Sequence, residues 1–118
     1  MIEVHGLKTC DTCRKALKWL TAAGIEHRFH DVRADGVTAQ QLAAWAGAVG
    51  WEALLNRRGT TWRGLPAAET DGVDDARALA LMERHPALIK RPVFVLPDGR
   101  VLVGFAAKQQ ETLTAAQR

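Results

Sequence analysis

The chain is poor in cysteine and contains no long hydrophobic run. Cys10 and Cys13 are the only cysteines among 118 residues, and no apolar stretch approaches the ~18 residues of a membrane span. The start of the sequence has no positive cluster followed by an apolar stretch, which is the pattern of a secretory signal. These absences predict a cytoplasmic protein without membrane association, in which a C-x-x-C pair indicates redox or metal chemistry rather than a structural disulfide.

A dense stripe of basic residues is also missing. The net charge is +3 and the isoelectric point is about 9.2, with 16 basic and 13 acidic residues interleaved along the chain. Nucleic-acid-binding surfaces concentrate Lys and Arg on one face, so we expect no direct binding of nucleic acid. A mild basic excess fits a small anionic ligand equally well.

The order of the predicted elements indicates an α/β protein. Residues 2–5 alternate as a strand, a helical pattern runs from Asp11 to a stop at Gly24, and residues 25–32 form a second strand. This βαβ unit implies parallel strands with a right-handed crossover. Helical patterns interrupted by a polar loop follow, and then two strands, joined by the hairpin signal PDG, lead to a last helix from Ala106.

The resulting order, β-α-β … β-β-α, is that of a thioredoxin-like fold. We predict a single domain over residues 1–118, with a helical insert lobe at about residues 36–86. A strand order of 2-1-3-4 makes the first strand central and puts the loop that follows it at the carboxyl edge of the sheet. Ligands bind at such edges in open α/β sheets, and Cys10 lies in this loop.

The segment KTCDTCRKA places both cysteines at the start of the first helix. Cys10 falls at the helix cap and Cys13 lies one turn inside, on the same helical face. Free backbone N–H groups and the positive end of the helix dipole stabilise an anion there, and in C-x-x-C motifs they lower a cysteine pKa from ~8.5 to about 3.5–7.5. We predict that Cys10 is the nucleophile and that Cys13 resolves the mixed disulfide formed on it.

Two other interpretations of the cysteine pair are open at this point. A structural pair of buried thiols would carry no chemistry, and a zinc site would need two further ligands. The four histidines are scattered, and the sequence has neither a second C-x-x-C nor an H-x-x-x-H. We therefore expect no metal and no bound cofactor.

Two arginines near the cysteines are candidate anion ligands. Arg14 lies within one helical turn of Cys10 and would bond an anionic leaving group, unless it is only solvated. Arg91 precedes Pro92 at the start of the third strand. Thioredoxin-like folds place that residue pair opposite the cysteine loop, with the proline usually cis, and an X-Pro bond is where a cis peptide is cheap. A cis Pro92 would bring the Arg91 guanidinium beside the sulfur, whereas the alternative is a plain strand start.

A second polar cluster is the segment NRRGTTWR. It contains Asn56, Arg57, Arg58 and Arg63. Guanidinium groups bind carboxylates and phosphates in a planar, bidentate manner. We predict that this cluster helps to bind an anionic substrate through one arginine, while the others form a solvated face.

The chain resembles the ArsC family of arsenate reductases. The matching blocks are the cysteine loop TCDTCRKAL, the segment LLNRRGTTWR, the helix HPALIKRP and the hairpin VFVLPDGRVLVGF, which together span Ile2 to about Leu113. Within the family, the sequence is most similar to the YffB-like branch, which shares N-x-R-G-T-T-W-R and K-R-P. Spx-like regulators share the C-x-x-C and the arginine of K-R-P.

The resemblance implies an anion-binding cysteine site. Arsenate reductases of the family that are linked to glutaredoxin carry one catalytic cysteine, matched by Cys10, and three arginines that bind the oxyanion. Only Arg91 clearly matches one of these arginines; Asn56 and Gly104 stand at the other two positions, so an arginine of the NRRG segment would have to substitute. This departure argues against arsenate, and the added Cys13 points to a dithiol cycle.

Three functions follow as hypotheses. The first is a glutathione-linked thiol–disulfide reductase, with glutathione as co-substrate, a small thiol, disulfide or oxyanion as substrate, and glutaredoxin or thioredoxin as a further partner. The second is arsenate reduction, in which Cys10 attacks arsenic. The third is a redox-sensing regulator, similar to Spx, that binds RNA polymerase without turnover.

Overall fold

The computed structural model describes residues 1–117, in which a four-stranded sheet is combined with seven α-helices. The strands are β1 (Ile2–Gly6), β2 (His27–Asp31), β3 (Val93–Val95) and β4 (Val101–Val103), and the helices are α1 (Asp11–Ala22), α2 (Ala39–Val49), α3 (Trp51–Leu54), α4 (Thr60–Arg63), α5 (Ala67–Thr70), α6 (Asp75–Arg84) and α7 (Ala107–Ala115). A 3-10 helix, Pro86–Leu88, follows α6. None of the described helices is long and apolar enough to cross a membrane.

The chain divides into two compact units. The first consists of Met1–Val32 together with the segment from Arg91 onward, and the second is Arg33–Lys90. All the strands belong to the first unit, along with α1 and α7, whereas the second unit is helical.

The sheet of the first unit has the strand order β2-β1-β3-β4. β1 pairs with β2 in parallel, from Ile2 opposite His27 to Gly6 opposite Asp31. β3 runs antiparallel to both β1 and β4. The predicted strand order and the parallel βαβ unit are confirmed, and with them the thioredoxin-like α/β fold.

The core of the first unit lies on the sheet face that packs against α1 and α7. Alternate residues of a strand point to the same face, and Val4 of β1 stands opposite Phe94 of β3 in this core. Both side chains are fully buried. The buried cluster consists of Ile2, Val4, Ala16, Leu20, Ile25, Phe94, Leu96 and Leu113.

The helices of the second unit begin at polar caps. Thr38 caps α2 in a capping box: the Gln41 N–H donates to Thr38 Oγ1, and the Thr38 N–H donates to Gln41 Oε1. Asp74 caps α6 by accepting a hydrogen bond from the Arg77 N–H. Within this unit α2 packs against α3 and α6.

The segment predicted as a polar loop before α6 contains two single-turn helices, α4 and α5. Each begins after a residue with extended backbone, Gly59 for α4 and Pro66 for α5. A single turn is too short to show a recurring apolar spacing, so hydrophobic periodicity does not reveal it. The loop prediction was wrong for these two turns.

Replacing Leu113 with Ala tests whether α7 completes the core of the first unit. Leu113 is fully buried, and truncating a buried leucine lowers the free energy of unfolding by about 2–5 kcal/mol. Its neighbour Thr114 is exposed, so Thr114→Ala should change that free energy by no more than about 0.5 kcal/mol. Urea unfolding measures both variants, and equal small losses would mean that α7 does not seal the core.

Candidate active site

The candidate site lies in the loop between β1 and α1, at the carboxyl end of β1. Cys10 is the N-cap residue of α1, and its N–H donates to the Leu7 carbonyl at 3.0 Å. The buried Asp31, at the end of β2, accepts a 3.0 Å hydrogen bond from the Lys8 N–H through its carboxylate. Because β1 and β2 are parallel, they end at the same edge of the sheet. The Asp31 bond therefore ties the cysteine loop to that edge.

The Cys10 thiol is partly exposed and is surrounded by hydrogen-bond donors. Burial raises its pKa, but hydrogen bonds from the Cys13 N–H, the Arg91 guanidinium, the Cys13 thiol and the Thr12 N–H together outweigh burial. The pKa of Cys10 is therefore lower than that of an ordinary cysteine. An accessible cysteine that ionises readily has the properties of a nucleophile.

The Cys13 thiol has the opposite character. Its side chain is fully buried on the inner face of α1. Burial raises the pKa of Cys13 to about 11; a hydrogen bond from the Leu7 N–H opposes this effect, and the negative charge of Cys10 adds to it. Cys13 is therefore a neutral thiol at pH 7, and it donates a hydrogen bond to the Cys10 sulfur.

Arg91 supplies the positive charge beside the two cysteines. It lies two residues before the start of β3, and the Arg91–Pro92 peptide bond is cis. β3 is antiparallel to β1, so the residues before β3 lie beside the loop that follows β1. The guanidinium hydrogen-bonds to the Cys10 sulfur and, against the effect of burial, lowers the pKa of both thiols. The structure thus brings Cys10, Cys13 and Arg91 together.

The guanidinium of Arg14 has other partners. It donates to Asp11 Oδ1 at 3.2 Å and to the Thr9 carbonyl at 3.3 Å. The Arg14 side chain is 60% exposed, and so exposed an ion pair contributes only about 0–1 kcal/mol. A ligand anion near Cys10 would have to compete with Asp11 for this guanidinium.

The four predicted ligands of the NRRGTTWR segment belong to the second unit. The Asn56 side chain forms a local turn, in which its Oδ1 accepts a 3.0 Å hydrogen bond from the Arg58 N–H. The guanidinium carbon of Arg57 lies 5.8 Å from the centre of the Trp51 ring, in a cation–π contact. Arg63 is the last residue of α4 and is exposed. The role of these residues as anion ligands stays a prediction.

Sequence reasoning missed Asp31 as a residue of the site. The available signal was its position at the end of a strand that was predicted to run parallel to β1. Two parallel strands that end together bring their last residues to the loop that holds Cys10. A carboxylate at such a position is a natural acceptor for the N–H groups of the loop.

The exposure of the two cysteines argues against a structural pair of buried thiols. Cys13 is buried, but Cys10 is partly exposed. In the described part of the chain, no group of three or more His, Cys, Asp or Glu side chains is arranged to hold a metal ion.

Thioredoxin-like proteins typically have the strand order 2-1-3-4, a cysteine at the first helix cap and a cis-proline before the third strand. This chain has all three features and is a thioredoxin-like protein. A comparison with protein-family models narrows the class. The model of the ArsC family matches residues 5–113. The chain therefore belongs to the ArsC family, as its sequence blocks indicated.

Two relatives by sequence illustrate the range of the similarity. A Haemophilus influenzae protein described as uncharacterized is 44% identical over 115 residues, which cover 98% of this chain and 100% of the relative. The global transcriptional regulator Spx of Streptococcus agalactiae is 24% identical over 107 residues, which cover 89% of this chain and 77% of the regulator.

Solved structures agree with the family assignment. A protein named YFFB superimposes with a TM-score of 0.91 at 40% identity, covering 96% of this chain and 98% of its own. An arsenate reductase (ArsC) related protein from Brucella melitensis has a TM-score of 0.75 at 43% identity, with coverages of 94% and 92%. The resemblance to the YffB-like branch is thereby confirmed.

Iodoacetamide should alkylate Cys10 much faster than Cys13 at pH 7. The reaction requires an accessible thiolate. Cys13 is fully buried and has a pKa of about 11, so only about one molecule in ten thousand carries its thiolate at pH 7. Quenched time points analysed by peptide mapping give the two rates separately. Equal rates would contradict the assignment of Cys10 as the nucleophile.

Arg91→Ala should slow the alkylation of Cys10 at neutral pH, because the thiolate loses a hydrogen-bond donor and a nearby positive charge. A charge-assisted hydrogen bond is worth about 1.5–3 kcal/mol. At pH values below the Cys10 pKa, the alkylation rate should therefore fall about ten- to a hundred-fold. Arg100→Ala is the matched control, because Arg100 pairs with Asp98 on the surface. If both variants react at the wild-type rate, Arg91 does not support the thiolate.

Proposed function

We propose that this protein is a thiol–disulfide reductase in which Cys10 is the nucleophile and Cys13 the resolving thiol. The observation that carries the proposal is that the pKa values of two neighbouring thiols are shifted in opposite directions. The pKa of Cys10 is lowered by surrounding donors, whereas that of Cys13 is raised by burial. The Cys10 sulfur is thus the one that ionises more readily, while Cys13 holds its proton until Cys10 has reacted.

In the first step, the Cys10 thiolate attacks one sulfur of a substrate disulfide. A new S–S bond joins Cys10 to that sulfur, the substrate S–S bond breaks, and the leaving thiolate takes up a proton from water. Arg91, beside the sulfur of Cys10, would neutralise negative charge on a leaving group or on an anionic substrate such as oxidised glutathione.

In the second step, Cys13 attacks the Cys10 sulfur of the mixed disulfide. The bond between Cys10 and the substrate breaks, the second substrate thiolate leaves, and it accepts the proton that Cys13 gives up. Once Cys10 is bonded to a substrate sulfur it carries no negative charge, so one of the effects that raise the Cys13 pKa disappears. Burial, the largest effect, remains, and deprotonation of Cys13 is expected to limit this step.

The cycle transfers two electrons from the protein dithiol to the substrate and leaves a Cys10–Cys13 disulfide. Two equivalents of glutathione would restore the dithiol and be oxidised to glutathione disulfide. Glutaredoxin or thioredoxin is an alternative donor. The proposal needs no bound cofactor, since the electrons reside in the two sulfurs.

Two other functions have an observation in their favour. The kinship with an arsenate reductase (ArsC) related protein supports arsenate as a substrate, in which case Cys10 would attack arsenic. The similarity to Spx, at 24% identity, supports a regulator in which the disulfide changes the affinity for RNA polymerase. Turnover of small disulfides with glutathione, compared with turnover of arsenate, distinguishes a thiol–disulfide reductase from an arsenate reductase.

Intact-mass spectrometry after exposure to oxidised glutathione tests the dithiol mechanism. The wild type should end as a monomer lighter by two hydrogens, because Cys13 expels the transient glutathione adduct. Cys13→Ser should hold one glutathione on Cys10, and Cys10→Ser should take up little or none because Cys13 is buried and protonated.

A persistent adduct on the wild type, without the internal disulfide, would contradict the resolving role of Cys13 and favour a single-cysteine mechanism. Recovery of RNA polymerase by the oxidised but not the reduced protein, without turnover of any disulfide, would favour the regulator. Such a difference requires that the two redox states interact differently with the polymerase.

A further inference from the structure

β1 and α1 face each other through two rows of residues. Every second residue of β1 points to the same side of the sheet, and the row that points towards α1 is Ile2, Val4 and Gly6. The row on α1 consists of its buried residues, Cys13, Ala16 and Leu20. The apolar members of both rows share one core cluster. Gly6 and Cys13 are the members nearest to the site.

The space beside Gly6 is occupied by the sulfur of Cys13. A Cβ atom on residue 6 would overlap with Cys13 Sγ, whereas the next nearest atoms, Cys13 Cβ and Phe29 Cε1, would each lie 3.5 Å away in ordinary contact. Gly6 is not among the glycines with positive φ. Glycine is therefore required here by the position of one atom rather than by the backbone conformation.

In this position against Gly6, the Cys13 sulfur also has its hydrogen-bond partners. The N–H of Leu7 donates to it, and its own thiol donates to the Cys10 sulfur. A Cβ on residue 6 could be accommodated only if the thiol rotated to another staggered conformation or α1 moved away from β1. Rotation would separate the Cys13 thiol from the Cys10 sulfur, and movement of α1 would separate it from the Leu7 N–H.

We propose that Gly6 is a positioning residue for Cys13, because its missing side chain lets the thiol lie against β1 within hydrogen-bonding reach of Cys10. Gly6 acts through Cys13 and takes no part in bond formation. The part of this inference that concerns the attack on a mixed disulfide rests on the proposed dithiol mechanism. The part that concerns the support of the Cys10 thiolate does not.

Four variants test the inference. They are Gly6→Ala, Cys13→Ala, the double variant that combines them, and Gly47→Ala. Gly47 is the matched control, because it lies on the exposed side of α2 and a Cβ there would meet no atom within 4 Å. Each protein is alkylated with iodoacetamide over a range of pH, and its thermal unfolding is followed.

Both Gly6→Ala and Cys13→Ala should move the pH profile of Cys10 alkylation to higher pH. The first change displaces the thiol that supports the Cys10 thiolate, and the second removes it. Gly47→Ala should leave the profile unchanged. A merely structural role of Gly6 would not move this profile. A wild-type profile in Gly6→Ala would overturn the proposal.

Thermal unfolding shows whether the Cys13 sulfur is the atom that the new methyl group meets. Gly6→Ala should lower the Tm by about 5–15 °C, the range expected for an overpacked core position. In the Cys13→Ala background the same change should cost little, because the sulfur is gone and the nearest atoms would be in ordinary contact. A Tm loss of equal size in both backgrounds would overturn the proposal. If Gly6→Ala alone does not fold, recovery of folding in the double variant supports it.

The resolving step is measured by the release of glutathione from Cys10 after exposure to oxidised glutathione. Gly6→Ala should release it at least about ten-fold more slowly than the wild type, and Gly47→Ala should match the wild type. Release at the wild-type rate from Gly6→Ala would overturn the proposal. If the wild type itself retains the adduct, the dithiol mechanism fails, while the alkylation profile and the Tm comparison still decide the role of Gly6.

Discussion

The contact between the first turn of α1 and the end of β1 is the interaction on which the candidate site depends. It buries Cys13 against Gly6 and leaves Cys10 at the cap of the helix, where backbone N–H groups have no partner within the helix. β3 brings Arg91 to the same edge of the sheet, and β2 brings Asp31. Each of these groups is placed by a strand that pairs with β1 directly.

Cys10 and Cys13 lie three positions apart in the chain, but their thiols differ in acidity. Burial is the largest effect at both sulfurs, yet it decides the outcome only at Cys13, since the hydrogen-bond donors at Cys10 outweigh it. The two pKa values are also linked, because each thiol changes the charge or the hydrogen bonding of the other. A substitution at either cysteine therefore alters both the chemistry of its own sulfur and the ionisation of its neighbour.

Local patterns in the sequence were sufficient for most of the fold. The cap at Thr38, the start of α1 at Asp11 and the hairpin between β3 and β4 depend on residues that are adjacent in the chain, and the strand order follows from general rules of connection. The bond from Lys8 to Asp31 and the contact of Gly6 with Cys13 join residues that no local spacing relates. The turn at Asn56 illustrates a further limit of prediction from sequence. The same polar side chain is compatible with binding a ligand and with hydrogen bonding to the backbone of a turn.

The first unit is discontinuous in sequence, which has a consequence during synthesis on the ribosome. β1, α1 and β2 emerge early, but β3, which pairs with β1 on its other side, follows only after the whole of Arg33–Lys90. Chains are made at about 5–20 residues per second, so β1 waits for several seconds without this neighbour. During that interval the nascent chain has two cysteines but lacks Arg91, and their reactivity is not yet that of the folded protein.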